Sequence, residues 1–187
     1  MKSGIVLAFD TSAAHCAAAL MSGDQVVTRV ELMAKGQAER LVPMLDELLA
    51  EAGVVLADIG LIAVGTGPGN FTGIRIAVAL ARGLALGLDV PAVGVTGFEA
   101  AGADRVVAIP APRGQVYLKY PGRAAEMTDV VPEHAVRLAE MPVGAMVTAM
   151  ARVGRDKAAS PQPRPAPFYL RAADAAPASD PSPVILP

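Results

Sequence analysis

The sequence predicts an α/β protein built on a mixed sheet with helices packed on it. Three observations carry this: an apolar, β-branched run at residues 4–9 closed by Asp10-Thr11-Ser12, a short turn Ser22-Gly23-Asp24 between two further apolar stretches, and a later alternation of strand-like and helix-like segments. The order strand, strand, strand, helix, strand, helix, strand, helix argues for a mixed sheet of this kind.

The first three elements read as an antiparallel meander over residues 4–9, 15–21 and 25–32, because the turn at 22–24 is short enough for a hairpin. Leu41, Met44, Leu45, Leu48, Leu49 and Ala52 then recur at helical spacing, with Gly53 placed to cap the helix end. Pro43 cannot donate to the carbonyl of Glu39, so this helix is expected to start near Pro43 or bend there. Residues 60–65 form a strand, 66–72 a glycine-rich loop, 74–88 a second helix and 91–95 another strand. Thr96 and Glu99 have capping-box spacing at the start of a short helix. Beyond it, residues 106–109 and 115–120 suggest a hairpin, 132–141 a short helix opened by Pro132, and 143–150 a last strand or helix. Residues 161–187 hold 8 of the 16 prolines and predict an extended tail, anchored by Phe168, Tyr169 and Leu170.

Bulk properties narrow the function classes. The 187 residues suit one domain with a small second lobe. The formal net charge of −2, with charges interspersed, lacks the basic footprint of a protein that grips phosphates unaided. With no Trp and 4% aromatic residues, platforms for stacking single-stranded RNA are scarce. The richest apolar segment, 74–88, falls short of the roughly 20 residues a bilayer needs and carries Arg75 and Arg82, so no membrane span is expected. A single cysteine and an N-terminus without a signal-peptide pattern suggest the cytoplasm.

Motifs for chemistry are few. Asp10 and the loop with Gly67, Gly69 and Thr72 form the candidate anion site, at a helix start. The loop lacks a Walker lysine, however, and Asn70 occupies the third glycine position of a dinucleotide fingerprint, so a structural tight turn is the preferred reading. Asp10 likewise reads better as a turn residue that accepts from local amides than as a metal carboxylate. His15, His134 and Cys16 have no metal-ligand spacing, and neither a nucleophile elbow nor a zinc motif is present, so no catalytic residue, metal or cofactor is assigned. In the second helix, Ala79, Gly83 and Gly87 form a smooth strip at four-residue spacing. Glycine costs a helix about 1 kcal/mol relative to alanine, so the strip calls for close packing either on the chain's own sheet or against another helix.

The segments Leu7-Ala8-Phe9-Asp10-Thr11-Ser12, Ala38-Glu39-Arg40-Leu41-Val42-Pro43 and, above all, Ala63-Val64-Gly65-Thr66-Gly67-Pro68-Gly69-Asn70-Phe71-Thr72-Gly73-Ile74-Arg75 resemble the TsaB (YeaZ) family. The resemblance continues in Pro91-Ala92-Val93-Gly94-Val95 and returns at Pro167-Phe168-Tyr169-Leu170-Arg171. It implies an actin-like, ribonuclease H-like fold with a first lobe over 1–100, a reduced second lobe over 101–160 and the tail over 161–187. It also implies a non-catalytic subunit in tRNA threonylcarbamoyladenosine formation, paired with a catalytic TsaD paralogue alongside a TsaE ATPase, able to form homodimers and touching tRNA only indirectly. The shared contact is a helical bundle, which maps onto Leu41, Met44, Leu45 and Leu48 of the first helix and Ile76, Ala79, Leu80, Gly83 and Gly87 of the second. An ATP-binding ATPase or small-molecule kinase of the same fold is the alternative. Gln37, where the family often has His, and Pro110-Ala111-Pro112-Arg113 in the hairpin depart from the family pattern.

Overall fold

A computed structural model describes residues 4–170. Strands β1 (Ile5–Asp10), β2 (His15–Ser22) and β3 (Gln25–Leu32) form the expected antiparallel meander. Strands β4 (Ile59–Gly65) and β5 (Ala92–Val95) add in parallel beside β1, giving the order β3-β2-β1-β4-β5. Alternation along β1 separates the two faces of the sheet. Leu7 and Phe9 point to helices α1 (Gln37–Glu51) and α2 (Phe71–Leu88), whereas Val6 and Ala8 point to helix α4 (Val143–Lys157). The α4 face is lined by alanines, and this lets the helix sit close: a Cβ on Gly154 would lie 2.5 Å from Ala63 Cβ.

A second sheet follows in the order β8-β7-β6-β9, from β6 (Val107–Pro110), β7 (Val116–Lys119), β8 (Glu126–Thr128) and β9 (Val136–Arg137). Helix α3 (Gly97–Gly102) packs Phe98 and Ala101 on Val107, Ile109 and Tyr117 of this sheet.

Several expectations need correction. Helix α1 does not start near Pro43 but runs through it from Gln37 to Glu51. Pro43 and Glu39 are both on the exposed side, where solvent can satisfy the carbonyl that the proline leaves without a donor. At its end, Gly53 (φ 65°) donates to Ala50 O and Val54 to Leu49 O, the paired bonds of a Schellman stop, so the cap reading of Gly53 holds. The expected helix over 132–141 is instead strand β9, paired in parallel with the open side of β6, and a 3-10 turn at Leu138–Glu140. Among residues 132–141 only Ala135 is buried, so there is no apolar stripe to hold a helix. The segment expected over 143–150 continues as a helix to Lys157. Helix α2 spans 18 residues with a mean hydropathy of 1.5, long and apolar enough by length and composition to cross a membrane. Its buried face, Gly73, Ile74, Ala77, Val78 and Ala81, packs within the chain's own core.

Residues 161–169 contain neither helix nor strand, and Phe168 and Tyr169 do anchor them: Phe168 N donates to Thr66 O (2.8 Å) and its ring meets Phe98 edge-on, while Tyr169 stacks on Phe71. The remainder of the expected tail, residues 171–187, lies outside the described residues.

The capping box opens α3 as expected: Thr96 Oγ1 accepts from Glu99 N (3.2 Å) and Glu99 Oε2 accepts from Thr96 N (2.7 Å). Lys157 Nζ then bridges Glu99 Oε1 and Gly94 O, both at 2.7 Å, tying α4 to α3 and β5. Burial pushes the Glu99 carboxyl up, but the hydrogen bonds from Lys157 and Thr96 outweigh it and hold the group below its ordinary value of 4.5. A lowered folded pKa means stability that is present above pH 4.5 and lost as pH falls through the folded value. Glu99→Gln is therefore expected to cost about 1 kcal/mol at neutral pH. In urea unfolding, the gap to the unmodified protein should close as the solution is acidified; a gap independent of pH contradicts the assignment.

Candidate functional site

Two regions gather the residues singled out by sequence: the end of β1 with the glycine-rich loop, and the outer side of α1 and α2. In the first, Asp10 is wholly buried. Its Oδ2 accepts from Ser12 N (3.0 Å) and Ser12 Oγ (2.9 Å) and meets His15 Nε2 at 2.7 Å. This is the local turn role that Asp favours, closed across the hairpin by a histidine. The other oxygen, Oδ1, is buried with no hydrogen-bond partner among the described residues and abuts Gly65, where a Cβ would lie 1.8 Å away.

The glycines of the loop admit protein rather than an anion. A Cβ on Gly69 would lie 2.2 Å from Ser12 O, and one on Gly73 would lie 1.9 Å from Thr11 O. Asn70 N donates to Ser12 O (2.6 Å) and Thr11 Oγ1 donates to Gly73 O (2.7 Å), so the turn after β1 is stitched to the start of α2. Asn70 caps that helix by accepting from Gly73 N (2.8 Å). Gly67, at φ 98°, lies against Ile74. Of the four residues considered for an anion site, Asp10 and Gly69 meet around Ser12, while Thr72 is exposed on the helix. A buried carboxylate and a loop already occupied by backbone carbonyls oppose an anion there, which favours the tight-turn reading.

His15 was not expected to be part of this site. The signal was available in the hairpin register: Asp10 pairs with Ala17, and His15 lies two residues before Ala17 on the same side of β2. Above Ser12 and His15 opens a cleft of about 560 Å³ between the two sheets, with Asn70, Pro110, Tyr117 and Met146 among its walls. Among the described residues, no three His, Cys, Asp or Glu side chains converge as metal ligands. Cys16 is buried, and burial first, with Glu31 second, pushes its thiol up to about 11, away from thiolate reactivity.

On the helices, Leu41, Met44, Leu45 and Leu48 are at most 3% exposed, packed under α1 into the chain's own core. This corrects their assignment as partner contacts: the apolar stripe that made them conspicuous is the stripe that the sheet covers. The outward side of α1 carries Glu39, Val42, Asp46 and Ala50 instead. Beside it, Arg40 bonds Glu31 and Glu47, and Arg29 bonds Glu47 (2.6 Å) and Glu51 (2.8 Å). These bonds hold Glu31 and Glu47 below the ordinary carboxylate range. On α2, Ile76 and Leu80 are half-buried, whereas Ala79, Gly83 and Gly87 are exposed, and a Cβ on either glycine would meet nothing within 4 Å. The strip is not used for packing on the chain's own sheet. Leu86, next to it, is 82% exposed.

The family model of TsaD, tRNA N6-adenosine threonylcarbamoyltransferase, matches residues 30–172. The tRNA threonylcarbamoyladenosine biosynthesis protein TsaB of Escherichia coli (strain K12) is 39% identical over 121 residues, covering 60% of this chain and 52% of that protein. An uncharacterized protein of Mycobacterium tuberculosis (strain ATCC 25618 / H37Rv) is 33% identical over 198 aligned residues, covering 92% of this chain and 94% of that protein. Among solved structures, YeaZ from Pseudomonas aeruginosa superposes with a TM-score of 0.72 at 26% identity, covering 89% of this chain and 99% of that chain. The chain spans about half the length of the curated TsaB protein it matches, and nearly all of the mycobacterial one.

Proposed function

This chain belongs to the family of the TsaD model, on its TsaB/YeaZ side, and on that premise we propose that it acts as a non-catalytic scaffold subunit in tRNA threonylcarbamoyladenosine formation, paired with a catalytic TsaD-like paralogue. The observation that carries the reading is the uncovered face of α2. Ala79, Gly83 and Gly87 give a helix-wide strip of low relief, Leu86 projects beside it, and a hollow of about 860 Å³ bordered by Arg82, Gly83 and Leu86 opens at the helix end. A large apolar side chain on such a strip is a typical mark of a protein interface, since small residues let a second helix approach closely.

The actin-like fold, a mixed sheet with flanking helices similar to that of YeaZ, places this face on the outside of the first sheet. Within the same reading, residues 1–100 act as the partner-binding lobe, 101–160 as a reduced second lobe and 161–187 as a tail. A TsaE-like ATPase and a second copy of the chain are further partners, tRNA is met only through the complex, and the site of action is the cytoplasm. The engaged Asp10 carboxylate and the filled glycine loop weigh against the ATPase or kinase alternative.

The test is association with the TsaD-like protein of the same genome, followed by calorimetry. Gly83→Leu fills the strip without touching the chain's own core and is expected to weaken binding roughly tenfold or more. Unchanged affinity removes α2 from the interface. Failure of the two folded proteins to associate at micromolar concentration removes the scaffold reading itself.

A further inference from the structure

The C-terminal strap reaches the exposed side of α2 at one point. Tyr169 stacks on Phe71 with ring centroids 4.8 Å apart, and the Arg75 guanidinium lies 3.8 Å above the Phe71 ring. Arg75 Nε donates to Tyr169 Oη at 3.0 Å. The strap is itself held, since Phe168 N donates to Thr66 O. The guanidinium is thus fixed by one ring and one hydroxyl, while its two terminal nitrogens have no hydrogen-bond or ion-pair partner among the described residues. Arg82, seven residues on and therefore two turns along the same side, also has no ion pair among the described residues. Helix α2 contains no acidic residue to neutralise either.

We propose that Phe71 and Tyr169 hold Arg75 as a preset docking point for a carboxylate on a helix of the TsaD-like partner, so that the strap belongs to the partner surface. This rests on the reading of α2 as the partner face and names the charge that its partner must bring. A guanidinium offers a planar fork that matches a carboxylate, and fixing the fork in advance removes the entropy that an exposed arginine otherwise loses on pairing. Phosphate would satisfy the fork equally well. The surroundings select protein: the cation borders the strip of Ala79, Gly83 and Gly87 and the exposed Leu86 beside it, and the net charge of the chain is −2. Tyrosine and arginine are also the residue types that dominate binding energy at protein interfaces.

The full chain is titrated with the TsaD-like protein of the same genome at low and raised NaCl, with thermal unfolding as a check that each variant folds. Arg75→Gln is expected to weaken binding roughly tenfold and to reduce its salt dependence. Tyr169→Phe keeps the stacked ring and loses only the hydroxyl, so it should weaken binding roughly threefold, and it should add nothing in the Arg75→Gln background. Arg75→Lys should not restore affinity, because an ammonium lacks the fork. If Arg75→Gln and Tyr169→Phe both bind within twofold of the unmodified chain while Gly83→Leu does not, the docking point is wrong and the α2 face stands. If Gly83→Leu also binds normally, both fall. A Tyr169→Phe loss that persists undiminished in the Arg75→Gln background overturns the positioning role. An effect confined to self-association of the chain assigns the surface to a second copy and overturns the proposed occupant.

Discussion

Gly73→Ala is expected to destabilise the protein by about 3 kcal/mol, the reverse of what a glycine-to-alanine change does in an ordinary helix. Gly73 lies in the first turn of α2, where helix propensity alone favours alanine by about 1 kcal/mol. The added methyl would meet the Thr11 carbonyl oxygen at 1.9 Å, and that oxygen is backbone, not the end of a flexible side chain. To make room, the turn after β1 must withdraw from the helix. The Thr11 Oγ1–Gly73 O and Asn70 N–Ser12 O bonds then stretch or break. Overpacking of this kind costs about 1–3 kcal/mol, and each lost buried bond adds about 1 kcal/mol more. Gly83→Ala is the matched comparison: it lies in the same helix with nothing within 4 Å of its Cβ, so it should stabilise by about 1 kcal/mol. Urea unfolding of the two variants side by side reads both signs. If Gly73→Ala equals or exceeds the unmodified protein, the close approach of loop and strand end is not a feature of the fold.

The same pair shows what the sequence made legible and what it did not. That a glycine-rich loop separates a strand from a helix could be read directly, and so could the absence of a lysine to make it a phosphate loop. Which glycines admit backbone and which face solvent depends on the turn after β1, some sixty residues away, and local pattern carries no such information. The long elements are legible because burial leaves a mark on the sequence: continuous apolar runs along β1 and β2, which are covered on both faces, alternation along β3, and a period of three to four along α1. Strands β8 and β9, of three and two residues, are too short to show any period, and they exist because β7 and β6 offer them open edges. The apolar stripe of α1 is legible in the sequence, but what covers it is not. Periodicity reports which residues leave water, not whether a sheet or a partner covers them. The outward side of α2 leaves less of a mark, because apolar residues lie on both sides of that helix, and the exposure of Gly83, Leu86 and Gly87 is what separates the two faces.

Asp10→Ala is the second change with a large expected effect, and it also tests whether the end of β1 is structural or chemical. Removing the carboxylate leaves Ser12 N, Ser12 Oγ and the buried His15 Nε2 without their acceptor. Stranding buried donors costs about 1–3 kcal/mol each when water cannot reach them, and three donors lose their acceptor here. A loss of about 4 kcal/mol in urea unfolding is therefore expected. His15→Phe in the Asp10→Ala background should recover part of it, because an apolar ring no longer needs a partner, and the recovery measures the coupling of the two residues. A ligand-binding carboxylate behaves in the opposite way: its removal spares or raises stability and abolishes binding. Calorimetry of the unmodified protein with ATP and magnesium completes the comparison. Tight binding that Asp10→Ala removes without loss of stability would place a nucleotide at the end of β1 and displace the scaffold reading. A large loss of stability, with no heat of nucleotide binding before or after the change, leaves Asp10 as the residue that braces the turn of the first hairpin, the turn that Thr11 and Ser12 stitch to the start of the helix on which the partner is proposed to dock.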